Sequence, residues 1–165
     1  MIARSLGTRI VASVGIAGAI ALAATGCSYM APQATLIRYD PADGVGADLG
    51  DLLLRNVIAV ADEDAAAVNI VFSAVNTGDK AITLHYSADT KSGQQDDSIT
   101  IRPGLTNVGE DGRQIVVVSP KNAAVGGLYS VTFTAEGADS ATLRIPVLDA
   151  KGREYLADFV PRSAS

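Results

Sequence analysis

The sequence predicts an all-β protein, an antiparallel β-sandwich of about seven to eight strands preceded by a helical N-terminal segment. Three observations lead there. From residue 34 onward apolar side chains recur at every second position, the period of a half-buried strand, and not at the three-and-four spacing of a helix. The apolar runs are punctuated by Asp40-Pro41-Ala42-Asp43-Gly44, Asn76-Thr77-Gly78-Asp79, Pro103-Gly104 and Gly137-Ala138-Asp139-Ser140, all built from residue types that favour turns. The runs are also short and closely spaced, as sandwich strands are.

The N-terminal segment comes first. Arg4 and Arg9 precede an uncharged run rich in Ala, Val, Ile and Gly, which ends in the small residues Thr25 and Gly26. That is the order of regions in a secretory signal peptide, and residues 10–23 are too few to span a bilayer, which takes roughly 20 apolar residues. Cys27 follows at once, and it is the single cysteine of the chain. No intramolecular disulfide can form, and a lone free thiol is unusual in a secreted protein. Ala24-Thr25-Gly26-Cys27 resembles a bacterial lipobox, although leucine is commonest where Ala24 stands. The resemblance implies cleavage between Gly26 and Cys27 and lipidation of the Cys27 thiol, with acyl chains adding about 0.8 kcal/mol per buried methylene. The expected organisation is a lipoprotein signal peptide (1–26), a lipidated tether (27–33), a sandwich domain (34–150) and a C-terminal tail (151–165).

Within the domain, a first short strand is expected at 34–40. Residues 52–61 form a long apolar strand, with Arg55 and Asn56 marking a bulge or bend. Val68, Ile70, Phe72 and Ala74 alternate next and, after the turn at 76–79, Ile82, Leu84 and Tyr86 resume, predicting a hairpin with His85 on the outward face. The polar stretch 89–98 reads as a loop, 98–102 as a short strand, 109–112 as a turn and 114–119 as another strand. Tyr129, Val131, Phe133 and Ala135, then Leu143, Ile145 and Val147, form a terminal hairpin. Pro146 lacks an N–H and belongs at a strand end or facing away from a neighbour. Tyr155, Leu156, Phe159 and Val160 either pack back on the body or lie in a loosely held tail.

Gly127-Leu128-Tyr129-Ser130-Val131 resembles the entry to the penultimate strand of immunoglobulin-like domains, with Val131 at the cysteine position. The resemblance implies an Ig-like (Greek-key) topology, with Tyr129 as a tyrosine corner bonded to nearby backbone. Tyr39-Asp40-Pro41-Ala42-Asp43-Gly44-Val45, the run from Asp51 to Val57, and Val75-Asn76-Thr77-Gly78-Asp79 together resemble small actinobacterial cell-envelope lipoproteins of the LpqE type. Their domain is in turn reminiscent of periplasmic copper chaperones. Such a copper site is expected to use two histidines and at least two methionines, soft thioether and imidazole ligands suited to Cu(I). After residue 26 the sequence holds one histidine, His85, and one methionine, Met30, in the tether. No metal or other cofactor is therefore expected.

Catalysis has little to stand on in the sequence. No Gly-x-Ser-x-Gly elbow occurs, and Lys91-Ser92 and Ser119-Pro120-Lys121 lie among turn residues. Asp40, Asp43 and Asp48 do not follow a calcium-loop pattern. With 18 acidic against 13 basic side chains, nucleic acid is an unsuitable partner. The expectation is a non-enzymatic binding or interaction module, lipid-anchored on the extracytoplasmic face of the cell membrane, whose partner is an envelope protein or ligand. Copper handling is the alternative. Asp40, Asp43, Arg55 and Asn56 are the candidate interaction loop, because polar groups within an apolar strand need partners.

Overall fold

The computed structural model describes residues 13–15, 42–62, 64–110 and 112–161. Nine strands follow in order among them: β1 (Val45–Leu49), β2 (Leu52–Ala61), β3 (Ala67–Asn76), β4 (Ile82–Thr90), β5 (Gly93–Ile101), β6 (Gly104–Val108), β7 (Ile115–Val118), β8 (Leu128–Ala135) and β9 (Ser140–Leu148). A 3-10 helix, Glu154–Phe159, closes the chain. All of these belong to one unit, Asp40–Ser165, and residues 13–15, which are helical, belong to another, Met1–Tyr39. The strand expected at 34–40 lies outside the described residues. Among the described residues no helix is long and apolar enough to cross a membrane.

The strands form a curled sheet in the order β5-β4-β8-β9-β2-β3-β6, with β1 added beside β2 and β7 beside β3. Alternation puts one face of each long strand inside. On β8, Tyr129, Val131, Phe133 and Ala135 are buried while Leu128 and Ser130 are exposed. On β3, Val68, Ile70, Phe72 and Ala74 are buried. The layers meet at Phe72 and Phe133, whose rings pack edge to face at 5.8 Å and 74°, the favoured aromatic geometry. The all-β, sandwich-like fold is thus as expected.

Three elements differ from the sequence reading. Not every pair is antiparallel: β9 joins β2 in parallel through Ala59 opposite Val147 and Val60 opposite Leu148, and this short contact links the two layers. Second, β3 and β4 do not form a hairpin. β3 pairs with β2, β6 and β7, and β4 with β5 and β8. The turn at 76–79 carries the chain from one layer to the other. Asn76 explains how it is held: its Nδ2 donates to the carbonyls of Lys80 (2.8 Å) and Ile101 (3.1 Å), and its Oδ1 accepts from the Gly78 N–H (3.0 Å). Third, residues 89–98 are not one loop: 89–90 end β4, 91–92 turn, and 93–98 belong to β5. β5 pairs with β4 from Ile82 opposite Ile101 to Thr90 opposite Gly93, but as an edge strand it is exposed along most of its length. Without a buried face it has no apolar alternation to announce it.

The C-terminal residues pack back on the body. Leu156, 3% exposed, joins Ile58 and Val60 in a small cluster flanked by Phe159 and Val160. Asn69 of β3 fixes this segment and the β6–β7 turn together. Its Nδ2 donates to the carbonyls of Gly109 (2.7 Å) and Phe159 (2.9 Å), and its Oδ1 accepts from the Ile115 N–H (3.1 Å). A fully buried amide with all these partners is satisfied. Pro146 stands opposite Leu128, the first residue of β8, and beyond it the Val147 N–H donates to the Gly127 carbonyl at 3.0 Å.

Candidate functional site

Gly26, Cys27, Met30 and Asp40 lie outside the described residues. Of the candidate loop, Asp43, Arg55 and Asn56 are brought to one corner, where β1 folds onto β2. Arg55 and Asn56 sit in the β2 bulge, where the register with β3 shifts between Arg55 and Ile58. Asn56 takes a left-handed conformation (φ 52°), which asparagine tolerates better than most residues. Its Oδ1 accepts the Gly44 N–H at 2.9 Å. A side chain at Gly44 would meet the Asn56 carbonyl carbon at 2.5 Å, so the glycine is needed for this close approach. The Arg55 guanidinium pairs with Asp48 at 2.7 Å and donates to the carbonyls of Leu54 (2.7 Å) and Ala47 (3.2 Å). Asp43 is exposed and accepts from the Tyr155 hydroxyl at 3.4 Å. Arg55 and Asn56 thus tie β1 to β2, while Asp43 meets the C-terminal 3-10 helix.

His85 is exposed on the outer face of β4, opposite Ser98 of β5 and Thr134 of β8. It borders a shallow depression of about 290 Å3 with Asp96, Asp97 and Thr132. Among the described residues no group of three or more His, Cys, Asp or Glu side chains is gathered in a way that could hold a metal ion.

Tyr129 is 2% exposed, and its hydroxyl donates to the Asp89 carbonyl at 2.5 Å. Asp89 lies on the adjacent strand, 40 residues earlier. The tyrosine is therefore an inter-strand tie, not a corner bonded to backbone a few residues upstream. Burial, with the nearby Asp89 charge, pushes its pKa up to about 12.

A different cleft gathers more polar groups than the sequence suggests. It opens between β5 on one side and β6, β7 and the turn joining them on the other, has a volume of about 420 Å3, and is lined by Tyr86, Asp97, Arg102, Thr106, Arg113 and Gln114 among others. Tyr86 is 6% exposed, and its hydroxyl lies 3.5 Å from an Asp97 carboxylate oxygen. Burial first, then the Asp97 charge, raises its pKa. The Asp97 Oδ1 accepts the Ser98 N–H at 2.7 Å. Gln95 of β5 crosses the gap, donating to the Val116 carbonyl of β7 at 2.9 Å. The Gln114 Nε2 is buried with no hydrogen-bond partner, a state that costs about 1–3 kcal/mol. Neither Arg102 nor Arg113 forms an ion pair among the described residues. Sequence reasoning missed this group because its members come from five separate strands and turns. The one local signal was two arginines close to turn glycines in an acidic chain.

No protein-family model and no curated protein matches the sequence. Among solved structures, the apo PCuAC domain of PmoF2 is similar at 17% identity and a TM-score of 0.50, covering 64% of this chain and 95% of that one. The copper-bound PCuAC domain of PmoF2 (17%, TM-score 0.47, 64% and 98%) and the apo PCuAC domain from PmoF1 (15%, TM-score 0.49, 62% and 98%) are also similar. The chain shares the fold of the PmoF2 PCuAC domain, as the likeness to copper chaperones implies.

Proposed function

We propose that this chain is a non-catalytic binding protein of the cell envelope, an LpqE-type lipoprotein built on the PCuAC fold and held to the extracytoplasmic face of the cell membrane by acyl chains on Cys27. The observation that carries the binding reading is the fold shared with the PmoF2 domain. The anchor rests on the sequence, where a charged start, an apolar run and small residues lead into the single cysteine.

Copper handling is the second reading, and the likeness of the fold to the PCuAC domain of PmoF2 supports it. The side chains argue for a changed role. Beyond residue 26 the sequence supplies one imidazole, His85, and one thioether, Met30, so a single copy cannot assemble two of each. Copper titration of the purified chain, beside its His85→Ala variant, decides between the readings. Saturable binding at micromolar or tighter affinity, lost in the variant, establishes copper handling. Equal, weak and unsaturated uptake by both leaves a binding module that has given up the metal.

A further inference from the structure

The path of the curled sheet begins at β5 and ends at β6, and these two edges face each other across a gap that backbone pairing does not close. Gln95 bridges the gap at one point through the Val116 carbonyl. Beside that bridge lies the cleft of about 420 Å3, within the roughly 300–1,000 Å3 usual for small-molecule sites. Its polar groups are unequally satisfied. Asp97 accepts from the Ser98 N–H and faces the Tyr86 hydroxyl. The donors around it are less well matched: Gln114 Nε2 is buried without a partner, and Arg102, just after β5, and Arg113, in the β6–β7 turn, are exposed and make no ion pair among the described residues.

We propose that this cleft binds a small oxyanion-bearing ligand, a phosphate or carboxylate, gripped by the Arg102 and Arg113 guanidiniums and by the buried Gln114 amide. Guanidinium presents planar, always charged donors that match the oxygens of either group. A buried donor without a partner needs an acceptor, and an oxyanion in the cleft that reaches Gln114 supplies one while offsetting guanidinium charge. Among the described lining residues two arginines stand against one carboxylate, a positive balance on an acidic chain. Asp97 is the opposing charge, and it sets a direction: removing it strengthens binding. The proposal names a ligand class for the binding module above and rests on that reading. It is nevertheless tested separately, because acylation of Cys27 and occupancy of this cleft fail independently.

The test is a titration of the 15N-labelled full chain in neutral detergent at low salt with inorganic phosphate, glycerol phosphate and succinate, followed at the Gln114 side-chain amide. Saturable displacement of that signal by at least one probe is expected. Glycerol phosphate binding best assigns the ligand to a lipid headgroup, phosphate or succinate to a free anion; each is the proposed chemistry. Arg102→Gln combined with Arg113→Gln weakens binding about tenfold or more, Asp97→Asn tightens it, and Lys91→Gln, in a different part of the surface, leaves it unchanged. Both arginines are exposed and in no ion pair, so the double variant keeps its melting temperature. No saturable displacement with any probe, the result for a cleft that holds only water, overturns the proposal. So does displacement that the double variant leaves intact.

Discussion

Asn69 is a buried polar residue on the face of β3 opposite Val68, Ile70, Phe72 and Ala74, and its three hydrogen bonds hold the β6–β7 turn and the C-terminal segment to one point. Replacing it by leucine keeps much of the volume but orphans the buried Ile115 N–H and two carbonyls. At about 1–3 kcal/mol for each unsatisfied group, Asn69→Leu is expected to cost about 3 kcal/mol, read as a lower urea midpoint at unchanged slope. Tyr129 is the second such residue. Its folded pKa of about 12 lies above the ordinary value of 10.0, so the folded state holds the phenolic proton after the unfolded chain has lost it. Its stabilisation is complete below pH 10 and is lost as pH rises to 12. Tyr129→Phe is expected to lose about 1 kcal/mol at neutral pH and to show a shallower decline of stability between pH 10 and 12. Equal declines in the two proteins contradict this account. The sequence marked Tyr129 as special but not its partner, because Asp89 becomes its neighbour only when β4 and β8 pair.

Among the elements, the β2 bulge was legible in advance: a charged and an amide side chain in an apolar strand signal a break in register, and the shift falls between Arg55 and Ile58. Their use was not legible. Arg55 and Asn56 look like contacts for a partner until β1 folds alongside and supplies Asp48, Ala47 and Gly44. The C-terminal segment behaves likewise, since Leu156 gains a buried place only against Ile58 and Val60. Leu156→Ala is expected to cost about 2 kcal/mol, the low end for a buried leucine, because its cluster is small. Hydrogen exchange should quicken first in residues 150–160 while the β3 and β8 amides keep their protection. Uniform loss of protection would mean that this segment unfolds only with the whole body.

For the whole molecule, the pairing of β9 with β2 joins the layers, and the opposite edges stay apart at the cleft. That asymmetry leaves a polar gap between β5 and β6. Under the proposed anchoring, where the body works depends on Cys27, and here the expected outcome is simple. Cys27→Ala should move the protein from the membrane fraction to the soluble one, and mass spectrometry of the wild-type N-terminus should find acyl groups on Cys27. A membrane-bound variant would remove the anchor from the proposal.

The sequence by itself determined the all-β class, most strand positions and the outward placement of His85, because alternation and turn chemistry are local and are written in neighbouring residues. It also carries the lipobox resemblance at Cys27. Only the tertiary structure decided which strands pair, that residues 76–79 cross between layers instead of closing a hairpin, that the polar residues 93–97 extend the strand read at 98–102, and that Tyr86, Asp97, Arg102, Arg113 and Gln114 share one cleft. Those facts are set by contacts between segments far apart in the chain, and a one-dimensional pattern records which face of a strand is buried but not what lies against it.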